Sequence, residues 1–464
     1  MSIAMRSTRR AGVLLHPTSL PSGTLVDTPR WLDFMQRAGL SEWQMLPLGL
    51  PLVGRSPYQC VSAFAVNPAL FPAQPVDLSG CAAWCDRQRH WLEDYARFIT
   101  IKAQQGGVSW VAWPAPLRDR DPQALADFDA AYADTLRAVW HEQYRVSVIW
   151  QALRAQAAAS GITLFGDMPI FVAHDSADVW AHRELFLLDA SGEPVVVAGV
   201  PPDYFSATGQ RWGNPHYNWD AMQADDFSWW RARLRSHFEW FDRVRIDHFR
   251  GLAAAWAIPA SEPTAIQGEW AEAPGAALLQ SIQDEMGSLP LVAEDLGIIT
   301  PDVVALRQQF GLPGMAVLQF AFDHHADNPH KPANVLAETV YYIGTHDNDT
   351  TLGWWRNLSS DARQIVLTQL TLADDSADED VLAAMIDTVL RSRANLVILS
   401  LQDILALGSA ARMNIPGTEG DNWCWQFDWA MLTPERAAAL SGLIQSAARD
   451  APSPLHDHAL VRAT

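Results

Sequence analysis

The sequence predicts a (β/α)8 barrel, and two observations carry that prediction. Eight short apolar segments alternate with helical ones along the whole chain, the pattern of successive strand–helix units. The chain has 464 residues and neither an internal repeat nor a low-complexity linker, so one large barrel fits it better than a string of domains. A plain barrel takes roughly 250 residues. The surplus is assigned to a helical insertion over residues 70–160, after the second strand, and a loop-rich one over 171–220, after the third. Residues 1–464 are read as a single barrel of the α/β class, with no separate C-terminal β-domain.

Taken in order, residues 12–17 read as a short buried strand ended by a turn. A helix over 29–39 stops at Gly39, and 42–47 give the second strand. Residues 55–68 hold Ser-Pro and Asn-Pro turn signals and read as a loop with Tyr58 at its tip. From 70 to 160 the pattern is helical, in the stretches 91–102, 124–140 and 143–160. The third strand, 161–170, carries Asp167 near its C-terminal end. Residues 171–219 are long for a loop, and their Gly, Pro and aromatic content argues for an ordered lid. An amphipathic helix over 227–240 leads into the fourth strand, within Asp242-Arg-Val-Arg-Ile-Asp-His-Phe-Arg-Gly251. The fifth strand is 289–297, and the helix over 301–310 follows it with Thr300 as N-cap and Pro301 at its first position. The sixth, seventh and eighth strands are 315–322, 340–348 and 395–401, with a helix over 378–393 before the eighth and a last helix near 434–449.

Composition narrows the function. The formal net charge of -20 argues against nucleic acid or an anionic membrane as partner. No apolar run has the length of a membrane span, and the apolar run 11–15 is too short for a signal segment, so a cytoplasmic protein is expected. The four cysteines make neither a disulfide framework nor a zinc spacing, so no metal is expected. The 21 tryptophans are an excess; indole faces stack on sugar rings, so as a population they lean towards a carbohydrate binder, although any single one is better explained by packing.

The fourth strand carries the chemistry. Alternation puts Val244 and Ile246 on one face and Arg245 with Asp247 on the other. A neighbouring Arg keeps a carboxylate ionised, which a nucleophile attacking a sugar carbon must be. A lone Arg-x-Asp is more often a structural ion pair. Asp247, Glu294 and Asp347, however, fall at the C-terminal ends of predicted strands four, five and seven, the end that builds a barrel's active site. Three converging acids make sense where an oxocarbenium-like transition state must be stabilised. A retaining glycosidase needs its nucleophile and acid/base about 5–5.5 Å apart. Arg245 suits Asp247 to the first role. The apolar run 290–293 raises the pKa of Glu294 and suits it to the second. Asp295 points to the opposite face, and Asp347, beside His346, would grip sugar hydroxyls.

Beyond these acids, Ser56-Pro-Tyr-Gln59, Gly166-Asp-Met-Pro-Ile-Phe171, His174-Asp-Ser-Ala-Asp-Val-Trp180, Gly199-Val-Pro-Pro-Asp-Tyr-Phe-Ser-Ala-Thr-Gly-Gln210, Trp212-Gly-Asn-Pro215, Arg245-Ile-Asp-His-Phe-Arg-Gly251, Ala293-Glu-Asp-Leu-Gly297, Thr345-His-Asp-Asn348 and Asn414-Ile-Pro-Gly-Thr418 follow one another along the chain. In this set the sequence resembles the amylomaltase (4-α-glucanotransferase) family of the α-amylase superfamily, over nearly its whole length. The resemblance implies a retaining, cofactor- and metal-independent transfer of α-1,4-glucan segments through a covalent glucosyl-enzyme. It implies Asp247 as nucleophile, Glu294 as acid/base and Asp347 as transition-state stabiliser. Tyr58, Asp167, Arg245 and His346 match residues around the cleaved glucose, Asp203 and Trp212 the lid on the acceptor side, and Asn414 the opposing loop. The implied substrates are maltooligosaccharides, with glycogen and starch as larger candidates; a monomer or homodimer is expected. Val66 and a short loop over 49–55 depart from the usual pattern and bear on subsite geometry. The competing readings are a plain α-glucan hydrolase with the same acids and a catalytically silent glucan-binding protein.

Overall fold

The computed structural model describes residues 9–52, 54–202, 206–418 and 420–449. Its larger sheet has eight strands, Arg10–Leu14 (β1), Glu42–Gln44 (β2), Thr163–Pro169 (β3), Arg243–Asp247 (β4), Leu291–Ala293 (β5), Gly314–Val317 (β6), Thr339–Tyr342 (β7) and Leu396–Ser400 (β8). They pair in the order β6-β7-β8-β1-β2-β3-β4-β5. The last strand thus returns to the first, in parallel register from Arg10↔Leu396 to Leu14↔Ser400. This is the (β/α)8 barrel expected from the alternation. Several strands, such as β5, β6 and β8, are short apolar runs because parallel strands are covered on both faces, whereas β4 alternates apolar and charged residues. All five residues of β8 are buried.

By its contacts the chain divides into two compact units, Met1–Met45 with Ala152–Phe165 and Pro313–Thr464, and Leu46–Gln151 with Gly166–Leu312. The first holds β1, β2 and β6 to β8 with their helices. Thr28–Arg37 ends as the sequence predicts, at a glycine with positive φ (Gly39, +75°), a conformation that glycine adopts without strain. Asp378–Arg391 and Pro434–Ser446 are also helical. Two expectations change here. Strand six stops at Val317 and turns into a 3-10 segment, Leu318–Phe320. No α-helix then separates β6 from β7, because Pro329 and Pro332 interrupt the stretch and Asp323 ties it as a loop through Asn328 and Lys331.

The second unit holds β4, β5, the lid insertion and the helical insertion as far as Gln151. The helical one is Cys81–Gln104, Ala115–Arg118, Pro122–Ala131 and Ala133–Ala159. The single helix expected over 124–140 is broken at Tyr132, where Pro122–Ala131 ends. The lid insertion is more ordered than a loop. Val196–Val200 and Gln210–Pro215 form an antiparallel sheet with Ala254–Pro259 and Glu269–Glu272. Two of those partners lie some way down the chain, in a stretch read as no element, and Gly and Pro mask the alternation of the lid strands. Thr300 has N-cap backbone angles but its side chain caps no helix N–H.

Many of the tryptophans are core. Trp180, Trp229, Trp230, Trp355 and Trp423 are buried, and Trp180 packs its ring under Arg120 at 4.4 Å. Packing thus accounts for much of the excess, and Trp212 is among the half-buried remainder.

Burial lowers the pKa of several described histidines, and three of them lie far below the ordinary value. His16, pushed further by its neighbour His346, and His248, beside Arg250, lie at about 3, and His237, beside Arg233, at about 4. Their folded values lie below the unfolded one, so the stability they contribute is complete above about pH 6.5 and is lost as pH falls towards about 4. Each costs about 1.4 kcal/mol per pH unit in that window. The melting temperature should therefore drop by several degrees between pH 6.5 and pH 5, before most carboxylates titrate. A flat profile there would contradict neutral, buried imidazoles.

Candidate active site

β4 presents its alternation as expected. Val244 and Ile246 are fully buried on one side. On the other, Arg245 is 5% exposed and divides its guanidinium between two acids. Nη1 lies 2.8 and 2.7 Å from the two oxygens of Asp167, at the end of β3, and Nη2 lies 2.7 Å from Asp247 Oδ1. The Tyr58 hydroxyl donates to Asp167 Oδ2 at 2.7 Å. Burial alone would lower the Arg245 pKa, but the charges of Asp167 and Asp247, with Tyr58 and Glu294 beyond, outweigh it and hold the group well above its ordinary value. Arg245 is therefore a fixed cation that orients both carboxylates.

The register of β4 on β5 places the next acid. Ile246 pairs with Ala293, and the Glu294 N–H donates to Ile246 O at 3.1 Å. Residues in register on parallel strands point the same way. Glu294 thus follows Val292 on the face that carries Arg245 and Asp247. Its Oε2 accepts the His248 N–H at 2.7 Å and its Oε1 the Leu296 N–H at 3.0 Å. Burial, against the opposing pull of Arg245 and with the help of Asp247, pushes its pKa up to about 7. Asp295 is taken by Arg307 at 3.1 Å.

Asp347, half exposed, lies in the first unit, in the turn after β7. Asn414 Nδ2 donates to its Oδ1 at 2.6 Å, and His346 Nε2 lies 3.4 Å from its Oδ2. Arg412 donates to the Asp347 carbonyl at 2.6 Å, and His346 packs against Trp423 at 5.9 Å between ring centroids.

The sequence-predicted residues thus fall into two groups. Tyr58, Asp167, Arg245, Asp247 and Glu294 meet in the second unit, and Trp212 joins them by standing edge-on to the His248 ring, centroids 4.8 Å apart. His346, Asp347 and Asn414 meet in the first. Asp203 lies outside the described residues.

The 4-alpha-glucanotransferase family profile matches residues 14–81 and 73–432. The 4-alpha-glucanotransferase of Thermus thermophilus is 45% identical over 502 residues, which cover 96% of this chain and all of the relative. The chain belongs to the 4-alpha-glucanotransferase family. The Synechocystis 4-alpha-glucanotransferase is 42% identical, across 91% of this chain and 94% of its own. The solved amylomaltase from Streptococcus agalactiae in complex with acarbose superposes with a TM-score of 0.90 at 32% identity, covering 95% of this chain and 100% of that one. As a 4-alpha-glucanotransferase the chain is an enzyme of α-1,4-glucans.

One residue of this 4-alpha-glucanotransferase site and two beside it had no role assigned from the sequence, although all three stand in family motifs. His248 carries Trp212 on its ring and Glu294 on its backbone N–H, and its position next to Asp247 was the one available signal. Gln59 and Asn214, hydrogen-bonded at 2.8 Å, join the Tyr58 loop to the lid strand. Their side chains meet across 155 positions, which no local pattern reveals. Among the described residues no helix is long and apolar enough to cross a membrane, and no group of three or more His, Cys, Asp or Glu is placed to hold a metal ion.

Proposed function

We propose that the chain transfers α-1,4-glucan segments with retention, through a glucosyl ester of Asp247. The observation that carries this reading is the contrast between two neighbouring acids. Asp247 is held by the Arg245 cation, while Glu294 is buried and its pKa raised to about 7, so that near neutral pH it can carry a proton. In the first half-reaction Glu294 gives that proton to the glycosidic oxygen. The C1–O bond breaks, Asp247 bonds to C1, and the reducing-end fragment leaves with the proton. In the second, Glu294 takes the proton of an acceptor 4-hydroxyl, whose oxygen bonds to C1 and frees Asp247. Tyr58, Asp167 and Arg245 orient the acids and the glucose between the half-reactions. Asp347, steadied by Asn414 and His346, is assigned the sugar hydroxyls and the developing charge, the role its match to the family motif implies. Asp203 and Trp212 are assigned to the acceptor side. We further assign maltooligosaccharides as substrates, residues 1–464 as one catalytic barrel, and a cytoplasmic monomer or homodimer.

Incubation with maltotriose tests the reading. Longer maltodextrins plus glucose should form while total reducing ends stay constant. Rising reducing ends with shorter products alone would mean hydrolysis and would remove the transferase assignment.

A further inference from the structure

The lid strand Gln210–Pro215 is not a regular strand. Against Val196–Val200 it pairs Val200↔Gln210 and Gly199↔Arg211, then jumps to Val197↔Pro215. Residues 212–214 therefore bulge opposite Ala198, and Gly213 sits at the centre with φ +83°, where a side chain would be strained. Such a bulge re-aims a side chain and leaves backbone groups unpaired, so something outside the ladder must hold it. Asn214 does so. It is 4% exposed, its Oδ1 accepts from Gln59 Nε2 at 2.8 Å, and its Nδ2 donates to Val172 O at 2.8 Å.

Both anchors are themselves fixed. Val172 lies three residues past the end of β3. Gln59 follows Tyr58 in a loop pinned by Asp178, which accepts the Ala63 N–H at 2.7 Å, and by the Ala177 N–H, which donates to Val61 O at 2.8 Å. At the other end of the bulge Trp212 stands against His248, whose N–H donates to Glu294. The bulge is thus suspended between the Tyr58 loop and the acid/base.

We propose that Gln59 and Asn214 are positioning residues, a latch that seats Trp212 beside Glu294 and thereby sets how often a sugar rather than water takes the glucosyl intermediate. This rests on the transferase reading above. The donor half-reaction needs Asp247 and Glu294, which the latch does not touch. The acceptor half-reaction needs a sugar held against the lid while water is kept out. Loss of the latch should therefore show in the acceptor step alone.

The test is Gln59→Met, which keeps length and removes the amide, and Gln59→Glu, which sets a carboxylate against the Asn214 carbonyl oxygen. With an α-maltosyl fluoride donor and glucose as acceptor, fluoride release at saturating acceptor should stay within about twofold for Gln59→Met. The acceptor KM should rise, and the transfer-to-hydrolysis ratio fall, by about 5- to 10-fold, as expected for one lost hydrogen bond. Gln59→Glu should do more. Asn214→Ala should resemble Gln59→Met, and the double variant should be little worse than the poorer single, because both break one interaction. An unchanged ratio, or a uniform fall in all rates with acceptor KM intact, would overturn the latch while leaving a transferring wild type as it is. A wild type that only hydrolyses would overturn both.

Discussion

Replacing Asp247 by Asn is expected to cut maltotriose turnover by on the order of 10⁴- to 10⁶-fold, the range seen when a covalent nucleophile is removed. Asn has the same shape and keeps an oxygen for Arg245 Nη2, now at 2.7 Å from the carboxylate. It lacks the charge needed to bond to C1 and to steady the oxocarbenium-like transition state. Arg245 retains Asp167 as its closest counter-ion, with two contacts at 2.7 and 2.8 Å, so the guanidinium is not stranded without a partner. The variant should accordingly fold and still bind maltodextrin. Steady-state kinetics together with a melting curve check this. Near-wild-type turnover by the pure variant would take the nucleophile role from Asp247. Mass spectrometry of wild type quenched during reaction with the maltosyl fluoride donor should place a maltosyl increment on the peptide that contains this residue.

The barrel was legible because its strands are encoded locally. Runs such as Leu396–Ser400 and Ala11–Leu14 are continuous and apolar, and caps and glycines punctuate the helices between them. What escaped was encoded at a distance. The four-stranded lid sheet needs Val196–Val200 to meet Ala254–Pro259, and neither strand advertises itself amid the surrounding Gly and Pro. The missing helix after β6 was hidden for the opposite reason. Residues 318–322 are apolar apart from Gln319, so the strand pattern runs on, while the prolines that forbid a helix lie about ten residues later.

The site divides in the same way. Arg245 and Asp247 are two apart on one strand, so period-two alternation alone places them together. The raised pKa of Glu294 follows from the apolar run before it and from the burial found around it. The partnership of Arg245 with Asp167 joins residues 78 positions apart and needed the order of the strands. Gln59 and Asn214 stand in motifs that carry the resemblance, but their pairing gave no signal, because two amides acquire meaning only when the fold brings them into contact. The tryptophans misled in part. Composition cannot distinguish an indole that meets substrate from one, such as Trp180, that fills the core.

Glu294 gives the second large effect, and its sign is fixed by its environment. As proton donor it works only while protonated, and its pKa is raised to about 7 chiefly by burial. Activity should therefore be held at lower pH and fall as pH rises through about 7, tenfold per unit well beyond it. An ordinary glutamate would place that limb near 4.3, where almost no protonated acid would remain at neutrality. Glu294→Gln keeps a neutral group in the pocket but has no proton to give. It should lose about 10³- to 10⁴-fold on maltotriose, and the alkaline limb should vanish from what remains. A fluoride donor separates the two uses of the residue. Fluoride leaves without a proton, so the first half-reaction should largely survive in Glu294→Gln. The second still needs a base for the acceptor hydroxyl, so the maltosyl ester should accumulate. If the variant instead kept the alkaline limb, some other group would own that pKa. If fluoride release fell as far as maltotriose turnover, Glu294 would be acting on charge rather than on the leaving-group proton. The pH profile and the fluoride comparison together therefore test whether the proton donor and the acceptor base are the same carboxyl.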